Sequence, residues 1–263
     1  MVLSLGSAME RLDVFRFHKE RTEERRKESA QRDVRDEVFD RTTLLAISRM
    51  VSRGMFSQVD YSISTGKVAN VFRVTSSTGP RALKVYRISN ALFRSVPPYL
   101  LHELREEVGS NSFGRLVFAW GRREFMALKA CHEAGVPVPE PIDYFRNLLL
   151  MEYKGDAEGL PWPPLIKCVV EKPEMVMKQI ARAVRTMVTK VELVHGDLSP
   201  YNVLFDGKKI ALIDLGETIE TTHPQAKGLL QRDAENFAKY FTRLGFSISS
   251  ESLFEKMGGK ELP

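Results

Sequence analysis

The chain has 263 residues, 43% hydrophobic and 28% charged, with two cysteines and a formal net charge of +5. That length and balance suit an ordinary globular protein with one sizeable core or two lobes. Apolar runs such as LLLM at 148–151 are far too short to span a bilayer. MVLSLGSAME lacks the basic and apolar regions of a secretion signal. Cys131 and Cys168 fit no zinc spacing, so a cytoplasmic, reducing setting without membrane contact is expected. A pI of about 9.1 admits an anionic partner such as RNA, but charge alone does not require one.

Residues 10–41 mix both charge signs, with Glu23–Lys27 and Glu28–Arg32 at i,i+4 spacing, and predict an exposed helix. Leu44, Ile47 and Val51 predict a second helix over 42–56, stopping near Gly54. The period then changes. SQVDYSI, VANVFRV and RALKVYRI read as an antiparallel meander over about 58–88, with turns at STGK (64–67) and SSTGP (76–80). Pro97 and Pro98 interrupt 89–112, which is expected to be a flexible loop. A helix is expected over 113–134, then strands IDYF and LLLMEY, a loop or short helix at PWPPL, and a helix over 173–191 opened by Pro173. VLFDGKKIALID reads as a hairpin turned at Asp206-Gly207, and helices over about 224–244 and from 250 complete the chain. This order predicts an α+β, two-lobed fold: an N-terminal helical extension (1–56), an N-lobe of antiparallel sheet plus helix (57–152), and a mainly helical C-lobe (153–263).

HGDLSPYN, at 195–202, packs His, Asp and Asn into a Pro- and Gly-containing loop. Phosphoryl transfer needs an acid to orient the acceptor and ligands for the metal on the phosphates. The protein-kinase catalytic loop supplies them as H-x-D-x-x-x-x-N, matched here by His195, Asp197 and Asn202. Asp214-Leu215-Gly216, after the hairpin, stands where kinases carry D-F-G, whose aspartate is the second metal ligand. Taken alone, HGDLSPYN would also describe a capped turn. His195 reads as a brace for the loop, since Asp197 already fills the acidic role.

Lys84, in the apolar strand ALKVY, shares a face with Ala82 and Tyr86. It either snorkels to water or meets an anion; A-L-K matches the lysine strand of kinases. Helical spacing puts 117, 120, 121, 124, 127, 128 and 131 on one face of the 113–134 helix, where Glu124 is the sole charge. A buried carboxylate needs a partner, and Lys84 is the economical one. STGK is a candidate phosphate loop with one glycine, and an ordinary hairpin turn explains it equally well. Met151, Glu152 and Lys154 stand where kinases bind adenine, although a plain core strand would leave the same pattern.

STGKVANVF, VFDRTTLLAISRMVSRGMF and HPQAKGLLQRDAENFAKYF together resemble the RIO kinases, atypical serine/threonine kinases, and specifically their type-one subfamily, over about residues 37–259. The resemblance implies ATP, magnesium (manganese as a substitute) and a role in maturing the small ribosomal subunit, with protein and rRNA of the precursor particle as partners. It implies that Asp197 is catalytic, that Asn202 and Asp214 hold magnesium, that Asp214 accepts phosphate transiently in an ATPase course, and that Ser64, Gly66, Lys67 and Lys84 contact phosphates. It also implies autophosphorylation in the 89–112 loop, where Ser89, Ser95 and Ser110 are candidates. Val68 departs from the family's usual glutamate. No A-P-E triplet follows Asp214, which argues against ordinary peptide docking. A small-molecule kinase of the aminoglycoside or choline type and a non-catalytic, nucleotide-binding assembly scaffold are the competing expectations. Oligomeric state is not legible.

Overall fold

The computed structural model describes residues 40–88, 96–109 and 112–263. The expected helix over 10–41, up to residue 39, and the candidate serines Ser89, Ser95 and Ser110 lie outside these residues. Two compact units form, one through Arg122 with Ile142–Tyr153, the other Arg123–Pro141 with Lys154–Pro263. Residues 123–141 go with the second unit, whose other segment begins at Lys154, next to the lobe boundary expected at 152.

In the first unit, α1 (Arg41–Ser52) starts at Asp40, whose Oδ1 accepts the Thr43 N–H at 2.7 Å, a side-chain N-cap. Strands β1 (Gln58–Thr65), β2 (Ala69–Ser76) and β3 (Gly79–Tyr86) make the predicted meander. With β4 (Pro141–Phe145) and β5 (Leu148–Glu152) they form a five-stranded sheet in the order β1-β2-β3-β5-β4. Ala46, Ile47 and Met50 of α1 pack with Phe72, Leu83, Val85 and Leu150 of the sheet. The expected separate extension therefore contributes, from residue 41 onward, to the core of this unit. Asn147 is wholly buried and donates from Nδ2 to Thr43 Oγ1 (2.7 Å) and to the Tyr86 carbonyl (3.0 Å), tying α1 to the sheet.

Two local expectations are corrected. Ser64 and Thr65 belong to β1, so the turn expected at STGK shrinks to Gly66–Val68, closed by the Gly66 N–H to Ala69 O at 3.0 Å. The prolines at 97 and 98 open a helix instead of breaking one: α2 spans Pro98–Val108. Proline at the first helical position lacks only an N–H that would have no intrahelical partner there, and Leu100 and Leu104 bury the helix's apolar face.

The helix α3 (Phe113–Glu133) runs from the first unit into the second. All seven positions of its predicted inner face are buried, from Val117 to Cys131. In the second unit, α4 (Pro173–Thr186) passes into one π turn at Met187–Val191. Strands β6 (Leu193–Val194), β7 (Val203–Phe205) and β8 (Ile210–Leu212) follow, then β9 (Ile219–Glu220), α5 (Ala226–Arg243) and α6 (Ser250–Lys256). The β7–β8 hairpin turns where expected: Asp206 Oδ1 accepts the N–H groups of Lys208 and Lys209, and Gly207 takes φ +94°. The β6–β9 pair was not foreseen. Among the described residues no helix is long and apolar enough to cross a membrane.

Candidate active site

The HGDLSPYN loop leaves β6 at residue 195 and re-enters regular structure at β7. Its shape depends on Gly196, which takes φ +82°. A Cβ there would lie 2.4 Å from the Glu217 carbonyl oxygen, so the loop closes on the 3₁₀ turn Leu215–Glu217 only with glycine. His195 is wholly buried. Its Nε2–H donates to Ile213 O (3.1 Å), while Nδ1 accepts the Asp197 N–H at 3.4 Å. It is a brace, as expected, joining the backbone beside Asp197 to the backbone beside Asp214.

Asn202 donates from Nδ2 to the Asp197 backbone oxygen (2.8 Å) and to Asp197 Oδ2 (3.3 Å), leaving Oδ1 as an acceptor. Its own carbonyl accepts the Ile213 N–H at 3.0 Å, extending the β7–β8 ladder by one rung. That rung sets Asn202 beside the strand that delivers Asp214. Asp214 is exposed and adopts the left-handed conformation (φ 66°, ψ 57°), uncommon outside glycine. Asp197, Asn202 and Asp214 are therefore gathered in one unit by one histidine and one hairpin.

Three groups that the motif reading did not assign complete this cluster. Asp233, on α5, is wholly buried, and its Oδ1 accepts the Leu198 N–H at 3.1 Å. Burial pushes its carboxyl up to about 8, against the pull of Arg232 and the Leu198 N–H. Arg232 Nη2 donates to the Gly196 carbonyl. Residues 196 and 198 are thus gripped from one helix. Glu217 is pushed up to about 7, first by burial and then by Asp197 and Asp214, with Arg232 opposing. Asp197 is raised for the same reasons: burial first, then Asp214, with Arg232 and the Asn202 hydrogen bond opposing.

Lys84, on β3, is 7% exposed. Leu83 and Val85 face the α1 core, so Lys84 lies on the other side of the sheet, its Nζ 5.2 Å from the Tyr86 ring centroid. Glu124, on α3, is 1% exposed and belongs to the second unit. A lysine and a glutamate so buried both require compensating partners. Ser64, Gly66 and Lys67 are exposed at the β1–β2 turn. Met151 is buried on β5 opposite Ala82, and Glu152 ends that strand opposite Arg81. Lys154 belongs to the second unit; its carbonyl accepts the Trp162 N–H at 2.9 Å, and its Nζ lies 5.8 Å from the Trp162 ring.

This geometry sits in a chain whose residues 70–253 match the RIO domain. The chain belongs to the RIO family of serine/threonine-protein kinases. It is 37% identical over 238 residues to the RIO-type serine/threonine-protein kinase Rio1 of Haloferax volcanii, covering 90% of this chain and 81% of that one. The Rio1 of Methanocaldococcus jannaschii is 29% identical, covering 94% and 84%. The rio1 kinase of Schizosaccharomyces pombe is 33% identical over 87% of this chain, which spans about half of that relative's length (47%). These relatives identify it as a RIO1-type kinase. The fold is that of the Rio2 kinase from Chaetomium thermophilum. In its ADP/Mg²⁺-phosphoaspartate complex that protein matches with TM-score 0.63 and 20% identity, over 82% of this chain and 66% of that one. A second structure of the same kinase matches with TM-score 0.61 and 21% identity, covering 83% and 69%.

Proposed function

We propose that this RIO kinase binds ATP with magnesium and transfers the γ-phosphoryl group, to a serine or threonine or to water. The observation that carries the reading is the cluster of Asp197, Asn202 and Asp214, fixed by His195 and the β7–β8 hairpin. The residues fit the metal. The Asn202 Oδ1 and the exposed Asp214 carboxylate are hard oxygen donors, and magnesium usually takes one or two such groups together with substrate phosphates. Bound there, the ion would neutralise charge developing on the transferred group. Asp197 orients the acceptor and receives its proton; its raised pKa makes it a stronger base than a free carboxylate. Lys84 is assigned to the α and β phosphates, and Ser64, Gly66 and Lys67 to the phosphate loop. Met151, Glu152 and Lys154 are assigned to adenine. The ADP/Mg²⁺ complex of the Chaetomium Rio2 supports the nucleotide and the metal.

In an ATPase course the Asp214 carboxylate would attack the γ-phosphorus and release ADP; water would then hydrolyse the acyl phosphate. The precursor of the small ribosomal subunit is the partner the family resemblance suggests, and the charge of +5 suits its RNA. A cytoplasmic setting is part of the same proposal, and the unpaired Cys131 and Cys168 are compatible with it.

The test uses γ-labelled ATP and magnesium, with phosphate release and protein labelling followed together. Asp197→Asn should lower turnover about 10²- to 10⁴-fold while the protein stays folded, and Asp214→Asn should abolish it. Acid-labile, hydroxylamine-sensitive label would point to the Asp214 acyl phosphate, and acid-stable label to serine or threonine. Turnover by both folded variants at the wild-type rate would overturn the assignment.

A further inference from the structure

Away from the catalytic cluster, the first unit carries a preformed recess of about 340 Å³, lined by Leu45, Ser48, Arg49 and Ser52 of α1 and by Phe145 and Arg146 of the β4–β5 turn. α1 packs on the sheet face opposite Lys84, so the recess is separate from the phosphate-binding lysine. Its walls are fixed at two places. Asn147, next to Arg146, is bonded to Thr43 of α1, and Arg53 at the end of α1 is paired with Asp143 of β4 at 3.0 Å. Within it, two guanidinium groups stand over one ring: Arg49 lies 6.0 Å and Arg146 5.5 Å from the Phe145 centroid. Neither arginine forms an ion pair among the described residues, and both are exposed. Arg146 is held at φ 55°, a conformation rare outside glycine.

We propose that this recess is a docking site for one nucleotide of single-stranded RNA. Exposed guanidinium groups beside an aromatic ring can hold a base against that ring and donate from their N–H edges to a phosphate. The volume is at the small end of the range for ligand pockets, suited to one base rather than to a peptide helix. The apolar floor of Leu45 and Phe145 favours a flat, weakly hydrated ring, and the net charge of +5 draws a polyanion to the surface. An acidic side chain could satisfy the arginines but has no flat ring to lay against Phe145 and Leu45. The inference concerns a surface distinct from the ATP site and stands or falls independently of the kinase assignment.

The test titrates the full chain with a fluorescein-labelled 12-nucleotide single-stranded RNA of mixed sequence, at several salt concentrations. The double variant Arg49→Gln, Arg146→Asn should bind at least tenfold more weakly; asparagine is chosen at 146 because it tolerates the left-handed backbone. Its log affinity against log salt should flatten by about 1.4, the loss of two phosphate contacts at ~0.7 each on a single strand. Phe145→Leu should weaken binding severalfold and leave the salt slope unchanged. Circular dichroism and ATP turnover should match wild type for both variants. With 4-thiouridine in the RNA, crosslinks should fall on the peptide containing Phe145 and Arg146. The proposal is overturned if wild type shows no binding up to about 100 µM, the weak end of sequence-independent affinity. It is overturned equally if both variants bind within twofold of wild type, or if a glutamate-rich peptide of the same charge displaces the RNA at equal concentration.

Discussion

Asp233→Asn tests whether the carboxyl beneath the catalytic loop is neutral in the folded protein. In the unfolded chain the group titrates near 3.8; in the fold, burial raises it to about 8. The sign follows from proton uptake. Below pH 4 both states hold the proton and Asp233 adds no pH dependence. Between about pH 4 and pH 8 the unfolded chain loses its proton and the folded protein keeps it, so stability falls as pH rises. Each pH unit costs about 1.4 kcal/mol, which accumulates to roughly 4 kcal/mol by pH 7. Asparagine does not titrate, and its Oδ1 can still accept the Leu198 N–H. Its amide nitrogen takes the place of Oδ2, which makes no well-formed hydrogen bond, on a carboxyl that also feels the Gly196 N–H, at a pH-independent cost of about 1–3 kcal/mol. The diagnostic quantity is therefore the slope. Urea denaturation of both proteins from pH 5 to pH 7 should show the variant gaining on wild type by about 1.4 kcal/mol per unit. A flat difference would mean that Asp233 is ionised in the fold with Arg232 as its counter-charge, and the argument from burial would fail.

Two further outcomes follow from the same cluster. Gly196→Ala should remove phosphotransfer and cost about 2–5 kcal/mol in urea denaturation, combining the left-handed backbone with the collision at Glu217 O; near-wild-type stability and activity would show that the loop has another way to close. Glu217→Gln should flatten the pH dependence of magnesium affinity in the nucleotide-free protein. In wild type that affinity should rise as pH passes about 7 and Glu217 ionises beside Asp197 and Asp214, and an identical pH profile in the variant, measured by calorimetry, would refute a role for that charge.

What the sequence disclosed, and what it did not, divides by range. The inner face of α3 repeats over about four turns, so one helical wheel identifies seven buried positions, Glu124 among them. The β7–β8 hairpin announced itself through Asp206-Gly207 between apolar runs. The β6–β9 pair has two residues on each side and no period to detect, and is held by contacts from distant parts of the chain. At 97 and 98 the helix-breaking rule for proline does not hold, because Pro98 is the first residue of a helix.

Asp233 is the more instructive omission, because its signal was present. It lies three residues after Leu230 and four before Phe237, on the buried stripe of α5 that continues to Phe241. That is the same evidence, one acid on an apolar helical face, that singled out Glu124. Lys84 in its apolar strand points to Glu124 as a partner, whereas nothing in the catalytic-loop motif points to Asp233. Its partner is a backbone N–H, which no sequence motif displays. A carboxyl on such a stripe must be neutralised by protonation, by a cation or by N–H donors. Applied to α5, that requirement marks Asp233 as a carboxyl with a partner elsewhere in the fold, and the partner is the Leu198 N–H of the catalytic loop.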